Sequence, residues 1–217
     1  MNAVDQQHPV GTPDDVDGPE EDLSAYDISL RPYGVGLVVL GALGLLAAFT
    51  LTVDKLKLLA DPSFTPACDI NPIVSCGSVM ASDQAEVFGF PNSLLGLIGF
   101  AAVVTLGLSL ALGARLPRTV LAGLALGGLA GLVFVHWLAF QTLYEINALC
   151  PWCLVVWAVT IPTAVWSTLV AAGAGTSRSP RVVEKLWNVR YLIVLGWYLL
   201  LAGAILERFW DFWVTLL

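Results

Sequence analysis

Five stretches of this chain are apolar for long enough, or nearly so, to cross a lipid bilayer, and no other feature restricts the fold as much. A helix needs about 20 apolar residues to pass through the hydrocarbon core. The segments at about 33–53, 92–113, 119–143, 150–172 and 191–207 fit that requirement, the fifth being the shortest but followed by an aromatic run. Composition agrees, with 57% of the 217 residues hydrophobic and 12% charged. Soluble globular chains are roughly 45–50% apolar and about 25% charged. A soluble enzyme, a nucleic-acid binder and a disordered protein are thereby excluded. The expected fold class is an all-α integral membrane protein with multiple spans.

The formal charge of -7 is unevenly distributed. Residues 1–30 hold eight of the 17 acidic side chains and no Lys or Arg, whereas from Arg31 onward ten basic face nine acidic residues. The first 30 residues lack periodic apolar positions and cannot bury enough surface to offset chain entropy, so they read as a disordered acidic tail. They do not resemble a signal peptide, which opens with a basic region before a short apolar core. The first span is therefore expected to act as an uncleaved anchor. Arg31, Arg115, Arg118, Arg178, Arg181, Lys185 and Arg190 fall on one side of the spans, and Lys55, Lys57 and Arg208 on the other. The positive-inside bias then places the tail in the cytoplasm and the C-terminus outside, where Trp210 and Trp213 suit the aromatic belt. The organisation expected is a tail over 1–30, a core over 31–172 with an outer loop at 54–91, a basic cytoplasmic loop over 173–190, and a fifth span with its outer end over 191–217.

Other features are read locally. Gly123, Gly127 and Gly131 recur every four residues in the third span, a spacing that lets helix backbones approach closely in lipid. Helix packing is their expected role, ahead of a hinge or ligand groove. Residues 53–60 carry apolar side chains at 53, 56, 59 and 60, which suits a helix lying in the interface.

The predicted orientation puts all four cysteines on the extracytoplasmic side. Cys68 and Cys76 lie in the outer loop, and Cys150 and Cys153 open the fourth span. An even number of cysteines in an oxidising compartment points to two disulfides. For Cys68 and Cys76, a structural staple and a redox pair both fit. Cys150-Pro151-Trp152-Cys153 favours redox chemistry, because a bridge across three residues closes almost no loop and stabilises little. Pro151 suits the first helical position, and a helix N-terminus lowers a thiol pKa. Haem attachment is excluded by Leu154, where a His is required. A four-thiolate zinc site is the alternative, disfavoured by the oxidising compartment and by the lack of a nearby His in sequence; no metal is expected. Cys153, one turn deeper than Cys150, is placed to meet a lipid-soluble electron acceptor. A membrane quinone fits, since it takes the two electrons released when two thiols become a disulfide.

The stretch Cys68-Asp69-Ile70-Asn71-Pro72-Ile73-Val74-Ser75-Cys76, followed by Val79, Ser82, Phe88-Gly89-Phe90-Pro91-Asn92 and the Cys150–Cys153 motif, resembles the vitamin K epoxide reductase family. The resemblance covers roughly residues 33–172 and is nearest to bacterial, actinobacterial-type members that oxidise secreted proteins. It implies a four-helix transmembrane bundle around a quinone, capped by the Cys loop, with the fifth helix outside that core. By the same resemblance, Cys153 faces the quinone, Cys150 exchanges with Cys76, and Cys68 passes oxidation to a partner. Ser82 matches a serine near the active site, and Asn92 an asparagine that hydrogen-bonds a quinone oxygen. A helix N-cap is the plain alternative for Asn92. Where many animal members have a tyrosine four residues after the motif's second Cys, this chain has Trp157. No thioredoxin-like domain follows the spans, so a separate extracytoplasmic thioredoxin-fold (DsbA-like) partner is implied, with menaquinone or ubiquinone as acceptor.

His136, an ionisable group within the third span, is a further candidate near the quinone. Phe64, Phe88 and Phe90 are candidates for the pocket lining beneath the loop. The function expected is disulfide generation at the cell membrane, with electrons passing from the partner through two Cys pairs to quinone. The rival readings are a thiol-driven quinone or quinone-epoxide reductase, and a non-catalytic membrane protein with structural disulfides or a metal site.

Overall fold

The structure is a computed structural model that describes residues 30–173 and 181–216. The acidic tail expected over 1–30 lies outside the described residues except for Leu30, as does the first half of the basic connection. The described helices are α1 (Leu30–Ala60), α2 (Cys76–Met80), α3 (Ser93–Ala111), α4 (Arg118–Phe140), α5 (Pro151–Gly173), α6 (Arg181–Asn188), α7 (Arg190–Arg208) and α8 (Trp210–Leu216). A 3-10 turn covers Asp83–Glu86, and a π-helical turn, Gln141–Ile146, prolongs α4. No strand forms among the described residues. One isolated parallel bridge joins Val74 to Leu149.

The protein is an all-α membrane protein, with α1, α3, α4 with its π turn, α5 and α7 long and apolar enough to span a bilayer. Ile98, Leu126, Val133 and Leu200 point outward, an arrangement that costs free energy in water and none in hydrocarbon. The helix expected to lie in the interface over 53–60 is instead the end of α1, which runs unbroken to Ala60. Nothing before Asp61-Pro62 interrupts it, and a residue preceding Pro is pushed out of the helical region. At 1.5 Å per residue, its 31 residues measure about 46 Å, more than the roughly 30 Å of hydrocarbon. The last turns of α1 therefore rise into the cap.

Helices α3 and α5 pack along α1, and α4 packs along α5. The close α1–α3 approach is made by glycine: a Cβ on Gly34 would lie 2.7 Å from the Gly107 carbonyl oxygen, and one on Gly107 would lie 2.7 Å from Leu37 Cβ. The packing role expected of Gly123, Gly127 and Gly131 is not what the structure assigns. A Cβ on Gly123 or Gly127 would meet nothing within 4 Å, and one on Gly131 only the Thr160 methyl at 3.7 Å. It is Gly128, on another face, that seats α4 against α5, where an added Cβ would lie 3.1 Å from Ala164 Cα.

Helix α7 is tied to the bundle by polar contacts at membrane depth. Pro162 lies inside α5 and has no amide hydrogen, which leaves the Ala158 carbonyl without its helical donor. The Tyr198 hydroxyl of α7 supplies that bond at 2.5 Å. Trp197 Nε1 donates to His136 Nε2 at 2.7 Å. At the end of the bundle that carries the cysteines, Arg208 Nε donates to the Leu143 carbonyl at 3.0 Å, and its guanidinium also bonds Asn147 Oδ1.

Candidate active site

The loop after α1 is folded by its own polar side chains. Asn71 Oδ1 accepts from the amides of Ile73 and Val74 at 2.9 and 2.7 Å, closing a tight turn. Ser75 caps α2 through a bond from the Ser78 amide at 3.0 Å. Asp69 Oδ1 accepts from the Gly77 amide at 2.8 Å, in the first turn of α2. A Cβ at 77 would come within 2.5 Å of Asp69 Oδ2, so any larger residue there would displace that carboxylate. The loop is then fastened to the segment preceding α5: the Leu149 amide donates to the Ile73 carbonyl at 2.6 Å, and the Ser75 amide to the Leu149 carbonyl at 3.0 Å.

The second bond joins the residues that immediately precede two cysteines, so Cys76 and Cys150 are brought together. Cys68 and Cys76 are joined in a disulfide, while Cys150 and Cys153 are free thiols. Cys150 Sγ lies 3.3 Å from Cys76 Sγ. Cys150 stands at the mouth of α5, and the Cys153 amide donates to its sulfur at 3.4 Å. The Cys153 thiol hydrogen bond holds the Cys150 thiol below its ordinary range; the amides of Cys153 and Trp152 act in the same sense, against burial and the charge of Asp69. A thiol lowered in this way carries more thiolate than an ordinary cysteine and is a better leaving group.

Beneath the cysteines lies a cavity of about 590 Å³, lined by α1, α3, α4, α5 and the cap. Cys153 and Trp157 form part of its wall near the top, with Asn92 and Lys55 across from them, and it descends past Gly131, Gly127 and Gly123 to Val120. Its mouth is between α3 and α4, where the lining residues Gly99, Ala102, Gly123 and Gly127 are exposed. The glycines thus keep a slot open. Asn92 begins α3 without capping it by its side chain. Its Nδ2 donates to the Gln84 carbonyl at 2.7 Å, and its Oδ1 is buried with no partner among the described residues. An open apolar slot with an orphaned hydrogen-bond acceptor and a thiol in its wall fits a flat, lipid-soluble molecule that presents a ring hydroxyl, as a quinone does once reduced.

The vitamin K epoxide reductase family model matches residues 35–168, more than half of the chain. The chain belongs to that family. Its members are membrane oxidoreductases that act on thiols and quinones. No curated protein matches the chain.

Within this family member, the sequence-predicted residues fall into two groups. Cys68, Cys76, Cys150 and Cys153 form one cluster, and Cys153, Asn92 and Trp157 share the cavity wall. The structure does not bring the others to that wall. His136 is turned to α7, with Nδ1 2.7 Å from the Leu132 carbonyl and Nε2 taken by Trp197. Phe64 sits against the Lys57 ammonium, 5.3 Å from its ring centre. Phe88 and Phe90 stack on one another, and Phe88 reaches Phe134, itself a lining residue. Ser82 Oγ donates to the Val79 carbonyl at 2.7 Å, a turn bond at the end of α2. Lys55 was not singled out from the sequence, yet it is 7% exposed and lines the cavity. The available signal was a cation at the end of an apolar span facing an acidic residue in the loop. Among the described residues, no group of three or more His, Cys, Asp or Glu side chains is arranged to hold a metal ion.

Proposed function

We propose that this protein generates disulfides by moving electrons from an extracytoplasmic thioredoxin-fold protein, through Cys68–Cys76 and Cys150–Cys153, to a membrane quinone. The observation carrying this reading is the 3.3 Å separation of Cys76 and Cys150, which links a loop disulfide to a thiol pair in a cavity wall. The basic residues of the cytoplasmic connections and the outer tryptophans support an orientation with the cysteines outside.

Cys68 is 9% exposed and Cys76 is fully buried, so a thiolate of the partner attacks Cys68 and releases Cys76. The partner's second thiol resolves the mixed disulfide, leaving the partner oxidised and Cys68 and Cys76 reduced. Cys76 attacks oxidised Cys150–Cys153 at Cys150, releasing Cys153. Cys68 then attacks Cys76, and the Cys68–Cys76 bond forms again as Cys150 leaves. Two electrons and two protons have moved inward, and the arrangement of one disulfide and two thiols is the product of that step. Cys153 and Asn92 would hold a quinone of menaquinone or ubiquinone type, which would supply the acceptor for the two electrons and two protons that Cys150 and Cys153 lose as they are joined. Trp157 and the α4 glycines shape the slot that holds it, and the hydrocarbon excludes water from it.

The test is purified protein with reduced partner and quinone, scored for quinol and partner disulfide together. Equal yields of both are expected. Cys153→Ala should abolish quinol formation, whereas Cys68→Ala should block the protein partner while small thiols still drive it. If both variants kept partner-driven quinone reduction, the relay would be wrong.

A further inference from the structure

Lys55 is the one charged side chain among the described residues lining the cavity. It projects from the outer turns of α1 and is 7% exposed. Its Nζ donates to the Met80 carbonyl at 2.7 Å and pairs with Glu86 Oε1 at 2.7 Å. An ammonium has three N–H donors, so these partners leave one unspent. Glu86 is partly exposed and is not among the lining residues. The positive member of the pair thus stands in the cavity wall beside Met80, while the negative member stands outside that wall and is the more open to water, which screens it. The same 3-10 turn carries Gln84, whose carbonyl fixes the Asn92 amide. Lys55 and Asn92 are thus held from one short segment, at the end of the cavity that contains Cys153.

We propose that Lys55 is a catalytic residue of quinone reduction, placing a fixed positive charge and a hydrogen-bond donor at the oxygen that gains negative charge as electrons leave the Cys150–Cys153 pair. This rests on the quinone reading of the cavity. Lys55 keeps its own proton, so the balance is unchanged: the two thiols lose two electrons and two protons and form the disulfide, and the quinone gains both and becomes the quinol. The contribution is electrostatic, from a charge already in position inside a water-poor site, where such interactions are strongest.

The experiment has a binding arm and a rate arm. Calorimetric titration of the full chain in detergent compares a hydroxynaphthoquinone, anionic at neutral pH, with uncharged methylnaphthoquinone. Lys55→Met should reduce the preference for the anion by roughly tenfold to a hundredfold, the scale of a charge-assisted hydrogen bond. Lys55→Arg should retain it, and Glu86→Gln should retain or increase it. If Lys55→Met fails to assemble because Met80 loses its donor, Lys55→Gln keeps a donor without the charge and reads the same quantity. In the rate arm, the loss in kcat should be greater for quinones that yield more basic reduced forms, since a disturbance of the cap alone would slow all quinones alike. An unchanged anion preference in both uncharged variants, or an equal loss in Glu86→Gln, overturns the role of Lys55 and leaves the quinone site standing. If the wild-type protein bound neither naphthoquinone, the quinone reading itself would fall, and this inference with it.

Discussion

Chemistry at the single-residue scale turns on which atoms already have partners. Cys150 reacts as its thiolate, and its thiol lies below the ordinary range chiefly because of the Cys153 thiol. Alkylation of reduced Cys150 should therefore persist at a pH where a free cysteine, with a pKa of about 8.5, is protonated, and should fade only as the pH drops through the lowered value. Cys153→Ala removes the largest cause and should move the inflection upward, as read by thiolate absorbance in a background lacking Cys68 and Cys76. Asn92 offers a second case. Since its side chain makes no cap bond, Asn92→Ser is expected to cost quinone affinity rather than helix stability. Loss of one hydrogen bond, about 0.5–1.5 kcal/mol, corresponds to a severalfold rise in KM for quinone. Asn92→Asp should do worse, by repelling an electron-rich ring. Turnover at limiting quinone and matched membrane levels measures both; wild-type KM in Asn92→Ser would reduce Asn92 to its bond with Gln84.

At the scale of elements, the pairing of Pro162 with Tyr198 explains how a fifth helix attaches to a four-helix core. Tyr198→Phe leaves the Ala158 carbonyl unpaired in an apolar setting, and polar bonds between membrane helices average about 0.6 kcal/mol, up to roughly 1.7. In a Pro162→Ala background the helix regains its own donor, so Tyr198→Phe should cost much less there. A double-mutant cycle on denaturation in mixed micelles measures the difference; equal costs in both backgrounds would remove this link. The spans themselves were legible from the sequence, because hydrocarbon demands length and apolarity and both can be counted. The end of α1 was not, since an amphipathic pattern does not tell a separate interfacial helix from the continuation of a span. Glycine spacing misled for a related reason: Gly34 and Gly107 meet across two helices, and Gly123 and Gly127 border an opening, yet all four look alike in one dimension. His136 drew attention as an ionisable group in lipid, but its partner, Trp197, lies 61 residues away.

At the scale of the whole molecule, the gap between α3 and α4 separates the two halves of the proposed reaction. Gly127→Leu should fill the slot and slow quinone reduction about tenfold or more, while leaving exchange between Cys76 and Cys150 intact, because that pair is positioned by the Ile73–Leu149 and Ser75–Leu149 bonds, well away from Gly127. Trapping of the Cys76–Cys150 mixed disulfide alongside a quinone assay distinguishes the two; equal losses would mean that the slot also holds the cap. The cysteine motifs made this arrangement partly legible, but the slot was not, since a void has no residues of its own. Its sideways mouth has a consequence for physiology. In the proposed reaction, what enters is counted per area of bilayer and not per volume of fluid, so no water-borne oxidant substitutes for it. Under the proposed function, the pace at which exported proteins acquire their crosslinks would then track the oxidised share of the lipid pool.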